Sequence, residues 1–470
     1  MIPSLMASEP QVLTEDSTST RERVAELVRR YGWNATSFQV LEPGYRYFFP
    51  DDDACVAYVD TGRAWVAAGA PLAREERLGA VAMAFVKAAR AARRRACFFA
   101  TEQKFADRAP LTCLLVGEQP VWDPRQWEAT LKGASSLREQ VRRARAKGVE
   151  VRALGPGASM PDNATPAAAQ GTDADDVVAL IGRWSRTREL APLSFLARVE
   201  PLAILPEQRL FVAERGGALV GLLSVAPVWG RGGWFFQNLV RSPEAPNGTS
   251  EALVDAAMRA AAAEGRTFVT LGLAPLAGQV PPPLRLARRA GRALYDFEGL
   301  RAFKAKLRPG RWDPVYLSFP SDSGPVRAVV DVLAAFARGG LWRFGLRTLA
   351  RGPALVVRLL TVLLVPWTAL LAMASARRWF PHPMVKWAWV AFDLGLLAGL
   401  AILQRRWRYG LARALVAAIG VDAVLTAVEA GCWNLPRTTG LGAGSLLAAA
   451  VAAPVLATYV LGRATARRAG

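Results

Sequence analysis

The chain of 470 residues is 52% hydrophobic and 21% charged, which excludes a disordered protein and allows two or three domains. Its 59 Lys and Arg residues against 39 Asp and Glu residues give a net charge of +20, which predicts an anionic partner such as nucleic acid or lipid headgroups. Because His382 is its only histidine, the chain lacks the residues for most zinc hydrolases and for Ser-His-Asp triads. Its four cysteines are widely spaced and form no CxxC pair, which argues against a zinc ribbon and favours a reducing compartment.

The front of the chain is predicted to be an α/β domain. Residues 1–19 lack an apolar core of signal-peptide length and are expected to be disordered, so export of the following domain is not expected. Within residues 20–154, apolar periodicity predicts helices at 20–31 and 74–92 and strands at 45–49, 54–59, 63–68, 96–100 and 112–116. Residues 155–171 are rich in Gly, Pro and Ala and are predicted to form a linker.

A similar order of elements recurs in residues 172–320. The pattern predicts a helix at 174–188, a hairpin at 209–214 and 218–225, a strand at 233–240, a helix at 249–263 and a strand at 267–273. Hairpin, strand, loop, helix and strand is the order of the GNAT acyltransferase fold. Because residues 20–154 show a weaker version of the same order, the predicted fold class is α/β with tandem GNAT-like halves.

The chain changes character near residue 350. Residues 352–470 hold four apolar runs of about 18 residues or more, enough to cross a hydrocarbon core of roughly 30 Å. We predict an all-α bundle of four transmembrane helices after a basic amphipathic connector at 321–351; a buried helical domain of a soluble protein is the alternative. Eleven arginines in the flanking loops fall on one side and four basic residues on the other. The positive-inside rule then predicts a multi-pass inner-membrane protein with residues 20–320 in the cytoplasm.

Three acidic residues, Asp393, Asp422 and Glu429, lie within the predicted spans. Charged groups inside a bilayer are costly and often functional. We expect these side chains to pair inside the bundle or to lie near an interface, and a lipid or proton path is the alternative.

The first motif, at residues 236–251, places a strand end, a Pro-rich turn and a helix start in succession. Asn247 or Thr249 can cap the helix, and Gly248 allows backbone to come close to a ligand. The helix N-terminus offers N–H groups to an anion or a carbonyl oxygen, and Arg241 adds a fixed positive charge. An ordinary helix cap beside a surface arginine would give the same pattern.

Two further motifs follow. Residues 268–278 are predicted to form a buried strand that runs into a tight turn, and residues 295–317 alternate aromatic residues with cations. Aromatic rings can stack on a base and cations can hold phosphates, although a core-packing role and a solvated basic helix explain the same residues.

A fourth stretch, at residues 135–148, is predicted to be a basic helix. Arg138 with Arg142, and Arg143 with Lys147, are pairs of like charge four residues apart, which destabilise an isolated helix by a few tenths of a kcal/mol. This unfavourable spacing suggests a polyanion on that face, and a solvated face is the alternative.

Together these stretches resemble one family. Residues 235–253 (FFQNLVRSPEAPNGTSEAL), 270–278 (TLGLAPLAG) and 295–317 (YDFEGLRAFKAKLRPGRWDPVYL) are similar to the C-terminal catalytic domain of phosphatidylglycerol lysyltransferase. The basic helix resembles the one ahead of that domain, and the resemblance runs over about residues 20–320. It implies two GNAT-type halves that move an amino acid from aminoacyl-tRNA to phosphatidylglycerol at an anionic membrane, with no cofactor and no metal.

The resemblance also implies roles for individual residues. The catalytic candidates, which would handle the amine or the proton because no histidine is available, are Glu251, Glu298 and Tyr295. The predicted substrate-binding residues are Asn238, Arg241, Asn247, Gly248, Arg301, Lys304, Lys306 and Tyr316. The predicted contacts with tRNA or anionic lipid are Arg138, Arg142, Arg143, Arg145 and Lys147.

One residue departs from the family's pattern. Where the family often has an acidic residue ahead of its arginine, in D-L-x-R, this chain has Asn238. An amide can hydrogen-bond an amine but carries no full charge. The identity of the transferred amino acid is therefore left open.

Two other functions stay open on the sequence. The first is an acyl-CoA-dependent GNAT-type N-acyltransferase, although residues 241–251 have one glycine and two prolines instead of the closely spaced glycines of a pyrophosphate loop. The second is a non-catalytic membrane protein that binds anionic lipid or RNA through its arginines, with binding that falls steeply with salt.

Overall fold

The computed structural model describes residues 11–13, 18–154, 169–188, 190–199, 207–291, 295–337, 340–349, 353–438 and 441–467. They belong to two compact units, one formed by Met1–Thr187 with Pro192–Leu341 and the other by Arg188–Ala191 with Trp342–Gly470. Most of the predicted N-terminal tail and residues 155–168 of the predicted linker lie outside the described residues.

The first unit is a mixed α/β domain. Its described strands are β1 (Gln11–Leu13), β2 (Arg46–Asp51), β3 (Ala54–Asp60), β4 (Ala64–Ala68), β5 (Arg95–Glu102), β6 (Thr112–Trp122), β7 (Glu150–Leu154), β8 (Arg209–Arg215), β9 (Ala218–Val228), β10 (Gly233–Arg241), β11 (Val269–Thr270), β12 (Ala274–Pro275) and β13 (Arg311–Phe319). Its described helices are α1 (Thr18–Tyr31), α2 (Leu78–Ala91), α3 (Gln103–Arg108), α4 (Trp127–Gly133), α5 (Ser135–Ala146), α6 (Ala169–Arg186), α7 (Thr249–Ala263), α8 (Pro282–Gly291), α9 (Phe297–Lys306) and α10 (Pro325–Phe336).

All these strands join one sheet, in the order β1-β2-β3-β4-β5-β13-β6-β11-β10-β9-β8-β7, with β12 paired to β6 beside this path. Two pairs are parallel, β4 with β5 and β10 with β11. Each pair follows a hairpin and is connected through a helix, α2 or α7. Strands β13 and β6 lie between the two parallel pairs and make the sheet continuous.

The helices cover the sheet through apolar stripes. In α2 the buried positions follow helical spacing and include Leu78, Val81 and Phe85. Phe85 is fully buried among aromatic rings of β2, β3, β4 and β5, and burial of such a side chain contributes about 1.5–3 kcal/mol. Strand β4 is buried at all five residues, as expected for a strand covered on both faces.

Two predicted strands differ in length from the observed ones. The strand expected at 267–273 is limited to Val269–Thr270, because Gly272 takes a φ of 65° and ends the extended run. The strand expected at 112–116 continues to Trp122, because β6 pairs from Thr112 to Val121 with β13, which is distant in sequence.

The second unit is helical, and its described helices are α11 (Leu341–Leu349), α12 (Pro353–Ala372), α13 (Pro383–Arg405), α14 (Tyr409–Glu429) and α15 (Leu441–Arg467). In the described residues three helical segments are long and apolar enough to cross a membrane: Pro383–Arg405, Tyr409–Arg437 and Leu447–Ala466. The first of the four predicted runs contributes a shorter apolar stretch, Leu360–Ala372. Large apolar side chains such as Val362, Val424 and Tyr459 are more than half exposed on these helices, as expected for surfaces that face lipid.

Two of the acidic residues in this unit are hydrogen-bonded between helices. The Thr368 hydroxyl of α12 donates to Asp393 Oδ2 of α13 at 3.3 Å, and Trp389 Nε1 of α13 donates to Glu429 Oε2 of α14 at 3.0 Å. These contacts agree with the expectation that the acidic side chains find partners inside the bundle.

Candidate active site

The parallel strands β10 and β11 separate soon after they meet. They pair over two residues, Trp234 and Phe235 of β10. Strand β10 is bulged against β9 between Phe236 and Asn238, whereas the chain after β11 turns to pair with β6 through β12. The two strands therefore diverge at their carboxyl ends, where ligands bind in many α/β sheets, and this place is called the opening below.

The turn that leaves β10 carries the first motif to the N-terminus of α7. Gly248 precedes the helix with a φ of 97°, and a Cβ there would lie 2.0 Å from the carbonyl oxygen of Gln140 in α5. Neither Asn247 nor Thr249 caps the helix, which corrects the predicted capping: the Thr249 hydroxyl donates back into the turn, and Asn247 Oδ1 lies 3.5 Å from Nη1 of the exposed Arg241. Glycine is required here because α5 packs directly on the turn.

An ion pair lies at the start of α7. Glu251 is in the first turn and is only 6% exposed, and its Oε1 accepts a hydrogen bond from Lys306 Nζ of α9 at 2.7 Å. A carboxylate is favourable near a helix N-terminus, and the ammonium offsets its desolvation. This pair joins the first motif to the third.

Lys304 connects the third motif to the second. Its Nζ is buried and donates to the backbone carbonyls of Leu271, Gly272 and Leu273 at 2.8, 2.8 and 2.9 Å. These three acceptors match the three N–H bonds of an ammonium. Lys304 therefore fixes the segment that leaves β11 at the opening.

Burial lowers the pKa of Lys304 to about 7, while the three carbonyl acceptors favour the charged form. Because its pKa is lower in the folded protein than in the unfolded chain, the unfolded chain binds more protons between about pH 7 and pH 10, so folding stability should rise over this range. Thermal unfolding of the full chain in detergent should show a gain with pH that the Lys304→Met variant lacks. Parallel profiles for the two proteins would contradict this assignment.

Arg301 is part of a second polar contact on α9. Its Nε donates to Glu118 Oε1 of β6 at 2.7 Å, and its guanidinium lies 4.9 Å from the centre of the Trp312 ring in β13. Gly278, at the end of the second motif, packs against the same carboxylate, since a Cβ there would lie 2.7 Å from Glu118 Oε2. The contact holds α9 over β6 and β13.

The predicted aromatic residues and Glu298 are more scattered. Tyr295 and Glu298 are exposed at the start of α9, where the Tyr295 ring lies 4.9 Å from that of Phe297. The Tyr316 hydroxyl of β13 donates to Gln103 Oε1 of α3 at 2.6 Å.

The predicted basic helix is α5, and its four arginines and the Lys147 that follows it are exposed. Glu139 accepts from Arg142 at 2.8 Å and from Arg143 at 2.7 Å, and these hydrogen bonds lower the pKa of Glu139 to about 2. The like-charge repulsion inferred from spacing is therefore partly offset by a carboxylate between the pairs. Arg138 Nη1 donates to the carbonyl of Leu131 at 3.1 Å at the end of α4.

A cleft of about 670 Å³ runs between α4, α5 and α7. At its base lies the buried Asp255, which accepts from Trp127 Nε1 at 2.9 Å, Arg145 Nη2 at 2.8 Å and Arg259 Nε at 3.0 Å. The lining has an excess of cations over acids, and its charged members are Lys132, Arg138, Arg142, Arg145, Arg259, Glu128, Glu139 and Asp255.

Sequence reasoning missed Glu118 and Asp255. Asp255 follows Glu251 by four residues on the buried face of α7, and an acidic residue in that apolar stripe was a usable signal of a partner. Glu118 lay beyond the predicted end of its strand. Among the described residues, no three His, Cys, Asp or Glu side chains are grouped as metal ligands.

The sheet, with its repeated hairpin, strand, helix and parallel strand and its opening between β10 and β11, defines a GNAT-like α/β domain. A family model described as phosphatidylglycerol lysyltransferase, C-terminal, matches residues 25–319. The chain belongs to this family, which supports a transferase activity.

Solved structures share the fold. The C-terminal domain of a protein described as a lysylphosphatidylglycerol synthetase from Agrobacterium fabrum is 24% identical, with a TM-score of 0.56 over 68% of this chain and 96% of that one. The L-PGS structure from Bacillus licheniformis is 21% identical, with a TM-score of 0.56 over 67% of this chain and 96% of that one. A comparison with curated proteins found no match.

Proposed function

We propose that the protein is a membrane-bound aminoacyltransferase that moves an amino acid from aminoacyl-tRNA to phosphatidylglycerol and so changes the charge of the membrane surface. The observation that carries this proposal is that α9 binds both other motifs at one opening. Lys306 contacts Glu251 at the start of α7, and Lys304 contacts the carbonyls after β11. The three motifs that resemble the family are thus held together at the opening between β10 and β11.

The reaction exchanges one ester for another. A glycerol hydroxyl of the lipid attacks the carbonyl carbon of the aminoacyl ester, a new C–O bond forms, and the bond to the tRNA ribose oxygen breaks. The proton of the attacking hydroxyl passes to that ribose oxygen. Because the ester is already activated, the step consumes no further energy source.

The polar groups at the opening have complementary roles in the proposal. Glu251 relays the proton, and Lys306 holds its carboxylate at the start of α7. The exposed Arg241 binds a phosphate of the lipid or the tRNA. Asn238 of the first motif and Glu298 of the third are candidates for binding the amine of the transferred residue, with Tyr295 and Tyr316 as further polar contacts. Arg301 and Lys304 position α9.

The tRNA is proposed to lie along α5 and its cleft. The exposed cations of this helix can bind phosphates, and such binding should weaken steeply as salt rises. Gly248 places the β10–α7 turn directly against α5, so a phosphate chain bound there would lead toward the opening.

The arrangement in the membrane is also a proposal. Three apolar segments support membrane association. We infer a fourth span at α12, whose 20 residues include the shorter apolar stretch, and a multi-pass inner-membrane topology with the catalytic domain in the cytoplasm. The repeated order of elements supports an origin as two GNAT-like halves, 20–154 and 172–320.

Overexpression of the chain should produce an aminoacylated phosphatidylglycerol that vector-only cells lack. The reason is that the proposed acceptor is already present in the membrane. Mass spectrometry of extracted lipids checks this, with Arg241→Ala expected to reduce the new species. A lipid profile identical to that of the vector control would count against the proposal.

A further inference from the structure

Helix α10 has two different faces. Its inner face carries Ala328, Asp331, Val332 and Ala335, all buried against the sheet. Asp331 fixes the helix there, since its carboxylate accepts from Arg95 Nε at 2.8 Å and from Arg95 Nη2 at 2.5 Å. The rotation of α10 about its axis is thus set by a bidentate ion pair.

The outer face of α10 is apolar. Val326, Val330 and Leu333 follow helical spacing and are 75%, 42% and 49% exposed. The matching outward positions of α2, which also covers the sheet, include Lys87 and Arg90 beside Met83. Single exposed apolar residues are ordinary on a protein surface, but an aligned stripe on a fixed helix marks a surface for a partner.

The charge around the stripe identifies the partner. Residues 325–372 contain six arginines and a single acidic residue, Asp331, which is turned inward to Arg95. On α10 itself the exposed charge beside the stripe is Arg327, and the acidic Asp322 ahead of the helix is paired with Arg90 of α2. An apolar face with this neighbouring charge matches an anionic lipid surface, where apolar side chains enter the interface and arginines meet phosphates.

The connection to the membrane segments supports the same partner. Sixteen residues, 337–352, separate the end of α10 from the start of α12, and nine of them form α11. Helix α11 repeats the pattern, with Leu341 and Trp342 exposed beside the exposed Arg343. Tryptophan with arginine is a typical combination at a membrane interface.

We propose that the outer face of α10, formed by Val326, Val330 and Leu333, lies in the headgroup region of the anionic leaflet and orients the first unit on the membrane. This docking proposal depends on the membrane association of the apolar segments and does not depend on the proposed transfer reaction. It would hold for a protein of this fold with any activity.

The test uses the full chain with one labelled cysteine at a time. Cys432 is exposed and Cys113 half-buried, so both are replaced by serine, whereas Cys55 and Cys97 are buried and burial raises the pKa of both thiols, which keeps them unreactive. Val330→Cys and Leu333→Cys then carry bimane on the stripe. Met83→Cys, on the outward side of α2, is the matched control.

In vesicles of equal parts phosphatidylglycerol and phosphatidylcholine, lipids with a nitroxide on the acyl chain should quench bimane at 330 and 333 several-fold more than at 83. Aqueous iodide should show the reverse order. Equal lipid quenching at all three positions would overturn the proposal. So would protection of 330 and 333 from both quenchers, which is expected if another protein surface covers the stripe.

The choice of an anionic surface has its own control. In vesicles of phosphatidylcholine alone, quenching at 330 and 333 should decrease because the arginines lose their counter-charges. Unchanged quenching would contradict the charge complementarity from which the partner is inferred.

Discussion

Replacing Glu251 with glutamine is expected to lower transfer to phosphatidylglycerol by about 100-fold, equivalent to roughly 2.7 kcal/mol in the barrier. The amide keeps the shape of the side chain but loses the negative charge that faces Lys306 at 2.7 Å, and it cannot accept a proton. Lys306→Met should have an effect in the same direction. The measurement is the rate of labelled lipid formation by the full chain in vesicles.

The two changes should also be coupled. If the carboxylate and the ammonium act as a unit, the double variant should lose far less than the product of the two single losses. Glu264→Gln is the matched control, since Glu264 lies at the opposite end of α7 in a partly exposed ion pair with Arg266. Rates for Glu251→Gln close to those of the Glu264 control would remove Glu251 from the mechanism.

Gly248→Ala is expected to destabilise the first unit by about 3 kcal/mol or more and to abolish transfer. Its φ of 97° is unfavourable for alanine by roughly 1–2 kcal/mol, and the new Cβ would lie 2.0 Å from the Gln140 carbonyl oxygen. Because that oxygen belongs to a helix backbone, the clash displaces α5 from the β10–α7 turn at a further 1–3 kcal/mol. Thermal unfolding and transfer rate check the two effects.

The glycine at the other end of α7 provides a control for the energetic cost of a positive φ without a steric clash. Gly265 also has a positive φ, 68°, but a Cβ there has nothing within 4 Å. Gly265→Ala should therefore lose only about 1–2 kcal/mol and keep transfer activity. Equal losses for the two variants would mean that the contact between the turn and α5 has no special role.

The elements predicted most accurately from the sequence are those whose bounds are set by neighbouring residues. Helix α7 begins and ends at the predicted residues, 249 and 263, because its apolar stripe and the Pro-Asn-Gly turn before it are both local signals. Strand β10 was placed within one residue of its observed end for the same reason. The family motifs were also visible, since each is a continuous stretch.

What the sequence could not predict are the contacts across long separations. Lys304 was expected to bind phosphate, whereas its Nζ is buried on three carbonyls more than 30 residues away. Arg145 was grouped with the free cations of α5, but it pairs with Asp255, 110 residues along the chain. Spacing determines which side chains share a helix face and not which distant group they meet. The binding roles of these residues remain predictions.

The most direct test of the account is transfer in a reconstituted system. The purified full chain, in vesicles that contain phosphatidylglycerol, is supplied with a mixture of tRNAs charged with labelled amino acids. The account predicts labelled lipid that depends on phosphatidylglycerol and disappears when the tRNA is first digested with ribonuclease. Absence of labelled lipid from an active, folded preparation, or acylation driven by acyl-CoA in place of aminoacyl-tRNA, would contradict it.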